Sequence, residues 1–341
     1  MALAVRRLLA LFLVLGFLAL AEGPEAIARA AVEDWLSGKY RVNPAAALNA
    51  EPEEAIRVLE RALRFPPPPR GLEVNLNEPR VEPRGQEVWV RFPAALGEET
   101  GEVVVRLREN EVIGVSWRPE GGLLPPWVSS PWFVAAFLGG GFGLIFSLLF
   151  GGLRPLWKRA LWAISVRRRL FLWTQLGLYG VFALGALSAY SAPELARLFQ
   201  ELVGETIAQI GLERAVRAGP LALAATIFYW NLTRGLMLTT ALPAMLFGVP
   251  ALLLNAVRYF ALGFALSPAV VPLDRFLLHL PVIVLELGAY NTAVFGGLAL
   301  LGEVLAGCGY RQGLRVLALS LIPATVLLFF AALYEAFEVM P

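Results

Sequence analysis

The sequence predicts a polytopic α-helical membrane bundle of about six transmembrane helices, preceded by a small soluble α+β domain. Three observations predict it. Charged residues make up only 16% of the chain and hydrophobic ones 57%, whereas soluble domains carry about 25% charged residues. Apolar runs of the roughly 20 residues that a bilayer requires recur from residue 132 almost to the C-terminus. Residues 24–122 ahead of them are polar, and there the hydrophobic period shifts from helical to two.

The elements follow in chain order. "MALAVRRLLALFLVLGFLALAEG" sets Arg6 and Arg7 before an apolar run from Leu8 to Ala21 that closes on small residues. This is the pattern of a secretory signal peptide over residues 1–21, or of an uncleaved anchor in its place. Either reading puts the following residues outside the cytoplasm.

"PEAIARAAVEDWLSGKY" lines up Ile27, Ala31 and Trp35 on one helical face, with Pro24 placed to start the helix. "EPEEAIRVLERALRF" is a second amphipathic helix with acids in its first turn, where the helix dipole favours them. The "PPPP" at 66–69 stops it. "LEVNL", "QEVWVRF", "GEVVVRL" and "EVIGVSW" then alternate as strands. Two helices and an antiparallel meander make an α+β domain over residues 24–122. Their order resembles the cone-shaped fold of the cystatin and nuclear-transport-factor groups, without a residue motif for it. This half has no His, no Cys and no carboxylate pair at a diagnostic spacing. Its expected role is binding or assembly.

"GGLLPPWVSSPW" contains the linker, 123–131, with Trp127 and Trp132 suited to a membrane-interface belt. The membrane domain, 132–341, reads as six spans: 132–152, 170–190, 220–242, 245–267, 275–302 and 315–337. The loop 153–169 carries Arg154, Lys158 and Arg159, continues into Arg167, Arg168 and Arg169, and has no acid. The positive-inside rule makes it cytoplasmic. Arg311 and Arg315 then fall inside, Glu335 and Glu338 outside, and the N-terminal domain is extracytoplasmic. Between spans two and three, Leu195, Leu198, Phe199, Leu202, Ile207 and Ile210 form an apolar stripe. That predicts an amphipathic helix or helix pair on the outer surface, either a connector or a partner dock.

Several function classes drop out. The net charge of +2 speaks against a nucleic-acid partner. The sole cysteine, Cys308, leaves no intrachain disulfide and no cysteine cluster. One histidine cannot supply the His pair of a zinc-protease helix, and no P-loop appears. No nucleophile–base set stands out, so neither a catalytic residue, a cofactor nor a metal is expected.

Polar residues inside the spans carry the remaining information, because ionisable groups there are expensive. Span three holds Asn231, Thr233 and Arg234; span four holds Asn255 and Arg258; span five holds His279, Glu286, Tyr290 and Asn291. Asn-x-x-Arg occurs in both spans three and four, a weak repeat. At the helical rise, Asn231, Asn255 and Glu286 lie roughly 16, 15 and 16 Å from their span ends, near the midplane of a core about 30 Å thick. Arg234 and Arg258 bracket Glu286 in depth. The expectation is an ion pair between Glu286 and one arginine, with the asparagines satisfying the other polar atoms. His279 and Glu286 share a helix face but stand roughly 10 Å apart along it. Pro281 between them predicts a kink or a break. His279 is expected near the outer boundary, within reach of water.

"IFYWNLTRGL", "FGVPALLLNAVRYFALGF" and "LLHLPVIVLELGA" resemble the integral membrane domain of the stage II sporulation protein M family. The likeness covers about residues 170–340. The family places proline just before its histidine and glycine just after; here Leu278 precedes His279, Leu280 follows, and Pro281 comes next. The resemblance implies a multi-pass protein without catalysis of its own, acting as a membrane scaffold for cell-wall hydrolases or in a permease-like role.

The functional expectation is a non-enzymatic protein of the cell membrane. It contacts lipid, anchors or scaffolds a cell-envelope protein through its external domain, and is open to homo-oligomerisation. The alternative is a transporter or permease-like component. In that case Asn231, Arg234, Asn255, Arg258 and Glu286 form a midplane site, with His279 and Asn291 as accessories.

Overall fold

A computed structural model of the chain describes residues 23–43, 45–46, 50–120, 124–210 and 212–339. The predicted signal peptide lies outside them. The chain divides into two compact units, Met1–Gly122 and Leu123–Pro341.

The first unit begins with helix α1 (Pro24–Leu36). Pro24 opens it with the φ that a first turn needs. Gly38, at φ 84°, closes it: its N–H bonds the Trp35 carbonyl, and the Lys39 N–H reaches the Asp34 carbonyl, at 3.0 Å each. Helix α2 (Pro52–Arg64) carries Glu53 and Glu54 in its first turn and Arg61 and Arg64 in its last, as the dipole favours.

Five strands follow: β1 (Leu72–Val74), β2 (Arg80–Arg84), β3 (Glu87–Leu96), β4 (Glu99–Arg108) and β5 (Glu111–Pro119). All pairings are antiparallel; β1 and β2 both lie along β3, and β3, β4 and β5 form the meander. The sequence reading expected four strands and missed β2. "RVEPR" has no apolar alternation, and its Pro83 is tolerated because the strand sits at a sheet edge. A bulge at Arg106/Leu107 puts one extra β5 residue against β4.

Alternation gives the sheet two unlike faces. Val90, Phe92, Val103, Val105, Leu107 and Val115 pack under Ala28, Ala31, Val32 and Trp35 of α1. Trp35 is 1% exposed, and its indole N–H donates to the Pro66 carbonyl at 2.6 Å. The opposite face carries Trp89 with guanidinium groups of Arg84 and Arg118 at 4.3 and 4.8 Å from its ring. Arg91 bonds Glu102 at 2.8 Å and Glu82 at 3.2 Å. Arg108 and the Trp89 indole donate to Glu87 at 2.7 and 3.0 Å.

The second unit is helical. After a 3-10 turn at Pro126–Ser129 come α3 (Pro131–Leu149), α4 (Arg154–Val166), α5 (Arg168–Ser188), α6 (Pro193–Ile210), α7 (Leu212–Ala218), α8 (Pro220–Ala244), α9 (Val249–Ala265), α10 (Leu273–Leu305) and α11 (Tyr310–Val339). Among the described residues, five helices are long and apolar enough to cross a membrane: α3, α5, α8, α10 and α11. The stretch read as a fourth span, 245–267, is the apolar but shorter α9, 17 residues long. That is about 25 Å of helix. The difference arises where Phe247 (φ 62°) and Gly248 (φ 75°) turn the chain. Gly248 packs directly on the backbone of Gly297, leaving no room for a Cβ.

The segment 153–169, read as a loop, is instead mostly the helix α4, with Ala160 and Ala163 buried. Arg167 pairs with Glu303 of α10. Helix α10 is central: 78% of its most apolar window is buried, against 11% for α3. It runs unbroken through Pro281. The Tyr334 hydroxyl donates to the neighbouring Leu278 carbonyl at 3.0 Å. Close crossings use small residues, as membrane helices do: Gly185 rests on the Phe260 backbone, and Gly263 on that of Phe182.

Candidate functional site

The site starts with α8. Its residues Asn231–Ala241 run as π-helix, far longer than the single-turn bulges in which that geometry is mostly found, often at functional positions. Threonines follow the changed backbone. Thr240 bonds back five residues to the Gly235 carbonyl at 2.9 Å, and Thr239 reaches the same oxygen at 2.8 Å. Gly235 lies against the Tyr290 hydroxyl and ring, where a side chain would collide.

Tyr290 joins this segment to the ion pair. Its hydroxyl donates to Glu286 Oε1 at 2.9 Å. Arg258 approaches the same oxygen at 3.5 Å and lays its guanidinium over the Tyr290 ring, 4.5 Å from the centroid. Two further tyrosines fix the α10 backbone on either side of Glu286. Tyr179 donates to the Val284 carbonyl at 2.6 Å, and Tyr259 to that of Leu287 at 2.9 Å. Glu286 is therefore held by one cation, one hydroxyl and a backbone pinned from two helices.

These groups face a cleft with a cavity volume of about 240 Å³. Asn231, Arg258, Glu286, His279 and Glu335 supply its polar lining. Apolar walls come from α5, α8, α9 and α10, and Val203, Ile210 and Leu212 of α6 and α7 add to them. Asn231 is 9% exposed, and among the described residues its amide has no hydrogen-bond partner. Glu335 Oε2 is buried, also without a partner. His279 Nδ1 stands 3.1 Å from each carboxylate oxygen of Glu338. A carboxylate only accepts, so Nδ1 carries the proton in that contact. Seven residues of α10 separate His279 from Glu286, so the cleft extends roughly 10 Å along the helix.

The predicted cluster divides. Arg258 pairs with Glu286 as expected, but Tyr290, not an asparagine, meets the carboxylate. Asn231 reaches the cleft. Asn255 turns away: it is 2% exposed and bonds the Ala251 carbonyl at 2.8 Å and Thr240 at 3.4 Å. Arg234 is exposed, with its guanidinium 6.0 Å from the Trp230 ring. Thus one Asn-x-x-Arg copy sends its asparagine to the cleft and the other its arginine. Asn291 belongs to a separate buried group, donating to Gln175 at 2.9 Å, while its own Oδ1 has no partner among the described residues. His279, expected as a boundary residue, is half-buried and lines the cleft.

Sequence reading missed Glu335, which it placed outside with Glu338. The signal was present: α10 and α11 join through a short glycine-containing turn at 306–309. His279 and Glu335 lie almost equally far from that turn along the chain, so an antiparallel hairpin sets them level. No residue type announces the π-helix.

These features define a class: a mostly helical protein with, among the described residues, five helices long and apolar enough to span a membrane, a polar cleft among its helices, and a separate antiparallel sheet unit. No protein-family model, curated protein or solved structure matches the chain.

Proposed function

We propose that this chain is a non-enzymatic, multi-pass protein of the cell membrane whose helical unit binds a small solute, in a permease-like role. The observation that carries the reading is the cleft, whose polar lining includes, among the described residues, two groups without protein partners, Asn231 and the buried Glu335 Oε2. Buried polar groups are almost always paired. Leaving the Glu335 oxygen unpaired costs about 1–3 kcal/mol, and a ligand that reaches it recovers that. In this proposal α9 completes a sixth crossing, α4 lies on the cytoplasmic side, and the sheet unit is extracytoplasmic. The likeness to the stage II sporulation protein M family belongs to the proposal too, carried by the three quoted segments alone.

The test is a thermal-shift screen of the full chain in nanodiscs against small amines, carboxylates, alcohols and sugars. At least one solute class should raise the melting temperature saturably. It should fail to do so in Ile283→Trp, which fills the cleft. A flat response throughout, or an equal response from the variant, overturns the reading.

A second reading rests on a different observation. The uncovered sheet face carries Arg80, Arg84 and Arg108, whose side chains are 74%, 48% and 51% exposed. Such a face suits an acidic patch on a cell-envelope protein, the scaffold role. Reversing Arg80, Arg84 and Arg108 to Glu should abolish salt-sensitive capture of envelope proteins by the full chain; unchanged capture sinks this reading.

A further inference from the structure

The charges around the cleft do not balance. Glu286, Glu335 and Glu338 gather at α10 and α11. Arg258 answers Glu286 at 3.5 Å, and the His279 imidazole stands 3.1 Å from Glu338. Glu335 has no counter-ion: among the described residues its buried Oε2 meets no donor. A second, independent group points into the same space, the Asn231 amide, nine-tenths buried and unpartnered. It offers a carbonyl oxygen to a donor.

Both vacancies call for a hydrogen-bond donor with positive charge. The rest of the lining calls for an apolar body, since Phe182, Ile227, Trp230, Leu262 and Ile283 surround it. Among the described residues, no group of three or more His, Cys, Asp or Glu side chains could hold a metal ion. An ammonium group has three donors, enough for a carboxylate and an amide oxygen together. A cleft of about 240 Å³ is far larger than a single water needs and has room for a small arylalkyl amine.

Resting on the solute-binding reading above, we propose that the cleft takes a small organic ammonium ion, with Glu335 as its counter-ion and the Asn231 amide oxygen as a second acceptor. Arg258 remains bound to Glu286 and sets the deep end of the site. His279 and Glu338 lie at the other end.

The experiment compares three ligands of one shape on the full chain in nanodiscs: phenethylammonium, 2-phenylethanol and 3-phenylpropionate, with sodium and potassium chloride as ionic controls. Wild type should bind phenethylammonium at least tenfold more tightly than the other two. Glu335→Gln should lose that preference while keeping its affinity for 2-phenylethanol. Its melting temperature should not fall, because among the described residues Oε2 has no partner to lose. Preference for the carboxylate, equal binding of all three, no binding of the amine, or stabilisation by sodium or potassium alone each overturns the ammonium assignment. The solute-binding reading survives any of these if its own screen found another class.

Discussion

Replacing Arg258 by Met removes the cation from Glu286 and keeps most of the packing volume. At 3.5 Å, two unit charges interact by roughly 5 kcal/mol at an effective dielectric of about 20, and by roughly 1 kcal/mol in water. The Arg258 side chain is 34% exposed and that of Glu286 18%, so cleft water screens the pair. The discounted value is about 2–3 kcal/mol. The Tyr290 hydroxyl stays in place to hold part of the freed carboxylate. Arg258→Met should therefore destabilise the protein by about 2–3 kcal/mol, and Glu286→Gln by less, because the arginine it strands is more exposed to cleft water, 34% against 18% for Glu286. The double variant should recover most of the loss and leave a coupling energy near 2 kcal/mol. Reversible unfolding in bicelles, followed by tryptophan fluorescence, measures all three. If the single effects add within about 0.5 kcal/mol, the two groups are not coupled and the account of the ion pair fails.

Gly235→Ala would set a methyl against the Tyr290 hydroxyl and ring. It should cost about 1–3 kcal/mol as overpacking, and Gly235→Ala/Tyr290→Phe should regain part of that; a neutral single variant refutes the contact. Trp35→Phe leaves the Pro66 carbonyl without its donor and opens space in a filled core. It should cost about 2 kcal/mol, read as loss of hydrogen-exchange protection in α1 and β3. Glu87 sits below the ordinary carboxylate range. Burial, its largest single influence, pulls upward, but the Trp89 indole and Arg108, with the charge of Arg106, outweigh it. Ionised Glu87 therefore stabilises the sheet above the unfolded value of about 4.3, and that contribution is lost as pH falls through the lower folded value. Glu87→Gln should flatten the acid-side decline of exchange protection in β3 and β4; an unchanged profile refutes it.

The fold was legible where burial dictates residue type. Ala31 and Trp35 marked the inner face of α1, and each apolar run within the described residues became a helix near its expected bounds. What composition could not show was how backbone turns trim a span. Phe247 and Gly248 use residues that hydropathy assigns to α9, and α4 is a helix whose charges made it read as a loop. In the site, depth alone grouped Glu286 with Arg258. Depth cannot show azimuth, however, so Asn255 and Arg234 stood at the right level but on the wrong side. Glu335 was hidden by its place near a helix end, where an acid ordinarily meets water. The π-segment is a cooperative backbone choice that depends on Gly235 fitting against Tyr290, a contact between two helices that no local pattern encodes.

The reciprocal glycine contacts between α5 and α9 bear on how the cleft can change size. Gly185 seats on Phe260 while Gly263 seats on Phe182, and the Ser267 hydroxyl adds a bond to the Ala186 carbonyl at 2.7 Å. Two interlocked points fix both the sliding and the rolling of one helix on the other, so Phe182, Leu262 and Leu266 travel as a single plate. On the proposed solute-binding reading, any change in the size of the cleft falls to walls outside that lock, Ile227 and Trp230 of α8 and Ile283 of α10.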